Sequence, residues 1–241
     1  GGYVGVDVFF VISGYLITSI LCREMLNGTF SFKGFYKRRI VRLAPAYFLV
    51  VFTTSIVCSF ILLPSELINY FNSVAYSTGF LANFYMWSEV GGYFGSQSEF
   101  IPLLHLWSLA VEEQFYIFWP IALLILFKVT KFKYFLPLSV LFFVFTLFIS
   151  EWGVNNYLAA SYYLMPTRAI ELLCGAMLIF IPRVVLSKLA HNILSLLGFA
   201  LIFYSAIFYT KQTLFPGLNA LVPCIGAMLI ILFSDHKRDV V

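Results

Sequence analysis

The chain has 241 residues, of which 61% are hydrophobic, 20% aromatic and only 11% charged, with a formal net charge of +4. Together with a mean hydropathy of +0.93, this excludes a soluble globular domain and a disordered chain, and it predicts an all-α, polytopic transmembrane helix bundle. A lipid bilayer is therefore an expected partner, and no nucleic acid is.

The chain starts at Gly1 rather than Met, and "GGYVGVDVFF" enters apolar sequence with no charged leader ahead of it. The expectation is an internal piece of a longer protein. Apolar runs long enough to cross a hydrocarbon core of about 30 Å fall at roughly 4–22, 43–63, 104–127, 134–150, 166–182, 191–209 and 217–233, which predicts about seven spans. An eighth stretch, "NSVAYSTGFLANFYMW" at 72–87, is short and carries two Asn and three Ser/Thr.

Charge placement decides its status, because Lys and Arg gather in short cytoplasmic loops. With seven spans and residue 1 outside, Arg23, Lys33, Lys37, Arg38, Arg39, Arg42, Lys128, Lys131, Lys133, Arg183, Lys188, Lys237 and Arg238 all fall inside. Only Arg168 and Lys211 face outward. Counting 72–87 as a span would erase that asymmetry. Residues 64–103 are thus predicted as one outer segment that dips toward the membrane without crossing, and the basic loop 23–42 as cytoplasmic. The cysteines Cys22, Cys58, Cys174 and Cys224 stand singly in apolar runs, without metal-ligand spacing. They are expected to pack, and no metal is expected.

An ionisable residue near a bilayer centre costs about 2.5–3.5 kcal/mol on insertion scales, so those that persist usually face a bundle interior. Asp7, Glu112, Glu113, Arg168 and Glu171 are in this position. His105, Ser108 and Glu112 are spaced i, i+3, i+7 and share one helical face, with Glu112 roughly 12 Å below the outer end. Glu113 turns about 100° away, toward the side of Tyr116 and Pro120. This face reads either as a polar line into a cavity, with His105 for proton transfer, or as an interfacial cap plus structural ion pairs. A Ser108–His105–Glu112 hydrolase triad is disfavoured, since His105 and Glu112 lie about 10 Å apart along the axis. Arg168 and Glu171, three apart, can neutralise each other. Ser13 and Gly14 read as small helix-packing residues. In "FSFKGFYKRRIVRLAPAY", Arg39 and Arg42 share a face and can offer guanidinium forks to an anion. The same cluster, Arg38 included, also serves as a topology signal.

These stretches, "GGYVGVDVFFVISGYLIT", "FYKRRIVRLAPAY", "LLHLWSLAVEEQFYIFWP", "MPTRAIELLCGAML" and "FPGLNALVPCIGAMLI", resemble the membrane-bound acyltransferase-3 family, the O-acetylases of bacterial O-antigen, peptidoglycan and other glycans. The resemblance spans nearly the whole chain. It implies a bacterial inner-membrane acyltransferase that takes acyl-CoA, acetyl-CoA above all, from the cytoplasm and acylates a hydroxyl of a glycan or lipid-linked sugar. Arg39 and Arg42 match the family's Arg-x-x-Arg feature, implying a hold on coenzyme A, with Arg38 beside them. His105, Trp107, Ser108, Glu112 and Glu113 match its His-Leu-Trp-Ser-Leu-x-Val-Glu-Glu signature, and Asp7 its Gly-Val-Asp signature. Asp7, His105, Glu112 and Glu113 are accordingly the expected catalytic residues, with Ser13, Trp107, Ser108, Tyr116, Arg168 and Glu171 lining the cleft. Members carry a further helix before the Gly-Gly stretch with a histidine active in acyl transfer. Residues 1–241 are thus expected to be an incomplete acyltransferase-3 domain of about ten helices, lacking that first helix and further helices beyond Val241. Two readings compete: a proton- or cation-coupled transporter using the buried carboxylates, and an inactive protein that binds glycan on its aromatic outer segment.

Overall fold

The computed structural model describes residues 1–90, 101–182 and 186–234. Arg183, Lys237, Arg238 and the 91–100 stretch of the segment expected to lie outside fall beyond the described residues. Among the described residues the chain is helical, with no strand.

A short 3-10 turn at Gly2–Val4 leads into α1 (Gly5–Leu26). The chain reverses at Gly28, whose φ of +69° suits a residue without a Cβ. The second helix, α2 (Phe32–Ile61), starts where the Ser31 hydroxyl accepts the Gly34 N–H. The segment after α2 folds as α3 (Pro64–Thr78) and α4 (Ala82–Val90), joined by a tight turn. At 15 and 9 residues, neither reaches across a bilayer core, in line with the rejection of an eighth span.

Next come α5 (Leu106–Thr130) and α6 (Phe135–Asn156), joined at Lys131, which ends α5 in a left-handed conformation. The remaining helices are α7 (Leu158–Tyr163), α8 (Met165–Met177), α9 (Lys188–Phe208) and α10 (Leu221–Phe233), the last entered through a 3-10 turn at Gly217–Ala220.

Among the described residues five helices are long and apolar enough to cross a membrane: Gly2–Leu26, Phe32–Ile61, Leu106–Thr130, Phe135–Asn156 and Lys188–Phe208. The other two expected spans are shorter. The 166–182 run yields α8, whose 13 residues cover about 20 Å, and the 217–233 run yields the short apolar helix Gly217–Phe233. The shortness of α8 follows from its place in the core. Thr167 through Met177 are all buried, so α8 is surrounded by protein and need not match the lipid thickness.

Its closest neighbour is α1. A Cβ on Gly14 would collide with the Leu172 carbonyl, and one on Gly175 would collide with the Val11 carbonyl and come within 2.6 Å of the Tyr15 nitrogen. The two backbones therefore touch through reciprocal glycines, the small-residue contact that replaces hydrophobic driving force between membrane helices. By contrast, α2 buries only Phe35 and Cys58 and leaves most of its surface uncovered by the other described residues.

Valine at Gly175 should force α1 and α8 apart, an overpacking cost of about 1–3 kcal/mol. All four cysteines are free and buried, so a thiol-reactive dye can follow thermal unfolding of the purified protein. Gly175→Val is expected to unfold several degrees lower. Gly2→Val, where a Cβ meets nothing within 4 Å, should leave the transition in place.

Candidate functional site

Two polar clusters occupy the bundle interior, and α1 contributes to both. In the first, the Arg168 guanidinium donates to Asp7 Oδ1 at 2.9 Å, to Glu171 Oε1 at 2.9 Å and, through Nε, to the Tyr162 carbonyl at 2.8 Å. All three ionic side chains are 0% exposed. Aromatic rings enclose the guanidinium carbon: Tyr162 at 4.6 Å, and Trp107 and Phe215 each at 5.2 Å. The expected Arg168–Glu171 pair is thus present, with a third member from α1.

The second cluster lies where α1, α2 and α5 meet. A cavity of about 170 Å³ is lined by Ser13, Arg39, Arg42, Glu112 and Tyr116, with apolar walls from Phe9, Ile12, Leu16, Ile17, Leu43 and Leu109. Ser13 Oγ donates to Glu112 Oε1, the Tyr116 hydroxyl donates to the same oxygen, and the two hydroxyls touch each other. The Arg39 guanidinium lies 5.5 Å from the Tyr116 ring centroid. The Tyr36 hydroxyl, one turn before Arg39 on α2, donates to the Tyr116 carbonyl at 3.3 Å and ties α2 to α5.

These placements sort the sequence expectations. Arg39, Arg42, Glu112, Ser13 and Tyr116 come together in one cavity. Tyr116 is a correction: it stands with Glu112, not on the Glu113 side, because residues four apart on a helix stack and its hydroxyl closes back on that carboxylate. Asp7, Arg168, Glu171 and Trp107 do not line this cavity; they form the closed ionic cluster, which separates Asp7 from Glu112. Arg38 turns away to Glu24 at 2.6 Å and is half exposed. Glu113 is buried at 7% exposure, absent from the cavity lining, and its Oε1 meets no hydrogen-bond partner.

His105 stands exposed just before α5, and Ser108 donates back to the His105 carbonyl at 3.1 Å. The predicted polar line thus delivers only Glu112 to the cavity. Partial desolvation holds the His105 imidazole pKa below its ordinary value.

Sequence reasoning missed several supports of α5. Gln114 and Asn83 exchange amide hydrogen bonds at 2.9 and 3.3 Å, while Asn83 also reaches the Tyr163 carbonyl and Gln114 the Phe80 carbonyl. This joins α4, α5 and α7. The polar residues within 72–87 were the available signal, and an amide buried among apolar residues needs such partners. Trp119 Nε1 donates to Thr18 at 2.8 Å, a second buried tie between α1 and α5.

Among the described residues no group of His, Cys, Asp and Glu is arranged to hold a metal. The chemistry the cavity offers is a carboxylate with two hydroxyls beside it and two guanidinium groups in its wall, suited to proton transfer next to an anionic ligand.

Removing the central cation tests the first cluster. Arg168→Met leaves two carboxylates buried without their partner and is expected to cost about 3–5 kcal/mol, read as a large fall in unfolding temperature. Adding Asp7→Asn and Glu171→Gln to that variant should recover part of the loss.

A family model described as an acyltransferase domain matches residues 1–239. An uncharacterized protein of Haemophilus influenzae is 36% identical over 239 residues, covering 93% of this chain and 96% of the relative. A Staphylococcus aureus protein provisionally named an O-acetyltransferase is 36% identical over 187 residues, 75% of this chain and 30% of the relative. A Bacillus subtilis protein provisionally named a peptidoglycan O-acetyltransferase is 45% identical over 127 residues, 52% of this chain and 20% of the relative. The chain therefore spans less than a third of the length of these two longer relatives. No solved structure matches it.

Proposed function

This chain belongs to the acyltransferase-3 family, and from that premise we propose that it is the membrane part of an O-acyltransferase that moves an acyl group, acetyl above all, from acyl-CoA to a hydroxyl of a cell-envelope glycan or lipid-linked sugar. The observation that carries the reading is the single cavity holding Arg39, Arg42 and Glu112 together. Acyl-CoA brings phosphates, which guanidinium forks bind with charge-assisted hydrogen bonds. An acceptor hydroxyl must lose a proton as it attacks a carbonyl, and a desolvated carboxylate within hydrogen-bond reach is suited to accept it. The names of the staphylococcal and Bacillus relatives support acetyl as the group and a wall polymer as an acceptor class.

In this reading the protein sits in the bacterial inner membrane with Gly1 and the α3–α4 segment outside and the basic 23–42 region in the cytoplasm. Donor reaches the cavity along α2 from inside. Acceptor approaches from the side of His105, whose imidazole pKa partial desolvation holds below its ordinary value.

The test is transfer of label from radiolabelled acetyl-CoA to membrane glycans in vesicles holding the full-length protein. Each lost guanidinium–phosphate contact is worth about 1.5–3 kcal/mol, so Arg39→Ala with Arg42→Ala should lower kcat/KM by two orders of magnitude or more. Glu112→Gln should lower kcat on the order of 10²–10⁴-fold while the protein stays folded. Undiminished transfer by the arginine double variant would remove the donor site from the cavity.

A further inference from the structure

Helical serine and threonine hydroxyls in this structure mostly turn back onto their own helix. Ser59, Ser73, Thr130, Thr146 and Ser205 donate to carbonyls three or four residues behind them, the usual way such a group is satisfied in an apolar helix. Ser13 does not. Its hydroxyl leaves α1 and crosses to Glu112 and Tyr116 on α5, inside the cavity that Arg39 and Arg42 also line. It is a primary alcohol at 5% exposure, held against a carboxylate, beside a second hydroxyl and in a cavity that two guanidinium groups also line. An activated hydroxyl nucleophile requires this set of neighbours: an adjacent base and a group that orients the base.

We infer that Ser13 is the acyl carrier of this site, taking the acyl group from the donor thioester as a covalent ester before the acceptor receives it. The inference rests on the acyl-transfer reading above and deepens it: transfer runs through an ester on the protein rather than directly from thioester to acceptor. In the first half-reaction Glu112 accepts the Ser13 proton as Oγ attacks the thioester carbonyl. The tetrahedral oxyanion forms beside the Tyr116 hydroxyl and the Arg39 guanidinium. The C–S bond then breaks, and the coenzyme A thiolate leaves with the proton returned by Glu112. The products are an ester on Ser13 and free coenzyme A thiol. In the second half, an acceptor hydroxyl gives its proton to Glu112 and attacks the ester carbonyl. The C–O bond to Ser13 breaks, and Oγ recovers the proton. No oxidant, reductant or further reactant enters.

A purely structural Ser13, tying α1 to α5, would never carry an acyl group, so trapping separates the two. Full-length protein in vesicles is given radiolabelled acetyl-CoA without acceptor, quenched, digested and mapped by mass spectrometry, then chased with native glycan extract. The expected result is acetyl on the Ser13 peptide, lost on chase as label appears on glycan. Ser13→Ala should abolish both the adduct and, on the order of a hundredfold or more, turnover. Ser13→Cys should still be acylated, now as a thioester cleaved by neutral hydroxylamine, which also reports that the fold survives the change.

Glycan labelling by wild type with no adduct at Ser13 and undiminished turnover in Ser13→Ala would overturn the carrier and leave the acyltransferase reading standing. An adduct that no acceptor discharges would keep the carrier and remove the proposed acceptor class. Neither adduct nor glycan label would overturn both.

Discussion

The bundle depends on one guanidinium. Taking Arg168 fully out of water would be prohibitive by itself, and an effective penalty of several kcal/mol per buried ion remains even after relaxation. The fold offsets it with two carboxylates at 2.9 Å, a backbone carbonyl and three aromatic faces within 5.2 Å. These partners come from α1, α5, α7, α8 and the loop before α10, so satisfying one side chain fixes the relative position of five segments. Breaking such an arrangement is far more costly than building an apolar one in its place. The cluster therefore acts as a positional constraint more than as a source of stability.

That constraint sets the geometry of the cavity through helical periodicity. On α1, Gly14 is seven residues from Asp7 and returns to the same face within about 20°, while Ser13, six residues on, lies about 120° away. One face of α1 thus meets α8 through Asp7 and Gly14, and another presents Ser13 to α5. On α5, Trp107 and Glu112 are about 140° apart; the first covers Arg168 and the second enters the cavity. Both helices are held by the ionic cluster on one side and offer reactive groups on another. Thr18 and Trp119, one to two turns farther along, keep the same pair in register. The cavity groups thus sit on elements fixed by packing at the ionic cluster.

How much of this the sequence discloses follows from the range of each interaction. Span positions and the short nature of 72–87 are legible because hydropathy and charge asymmetry are local sums. The pairing of Arg168 with Glu171 is legible from i, i+3 spacing. The third member is not, since Asp7 lies 161 positions away and only the packing of α1 on α8 brings it there. The same limit hid the division of the buried charges into two clusters: periodicity gives the face of a helix, but not which neighbour that face meets. Spacing alone does not fix the side of Tyr116. Both Glu112 and Glu113 lie within helical reach of it, and the choice fell to the hydroxyl of Ser13, supplied from a distant helix. Spans of full length were expected at α8 because hydropathy cannot distinguish a helix sheathed by protein from one sheathed by lipid.

Charge in the cavity wall decides between anion and cation chemistry there. Its lining holds two guanidinium groups against one carboxylate, and Arg38, which could have added a third, is drawn off by Glu24. With the side chains in their ordinary ionic forms the wall carries a net positive charge in a region of low dielectric, where fields are screened weakly. A cation path through this point would have to pass both arginines, whereas an anion is attracted to them. The wall that carries these charges, α2, is also the long helix with the least buried surface. In the proposed reading, a large, polyanionic donor would meet complementary charges on the wall with the fewest protein neighbours, while the carboxylate and the serine stay on the two helices locked by Arg168.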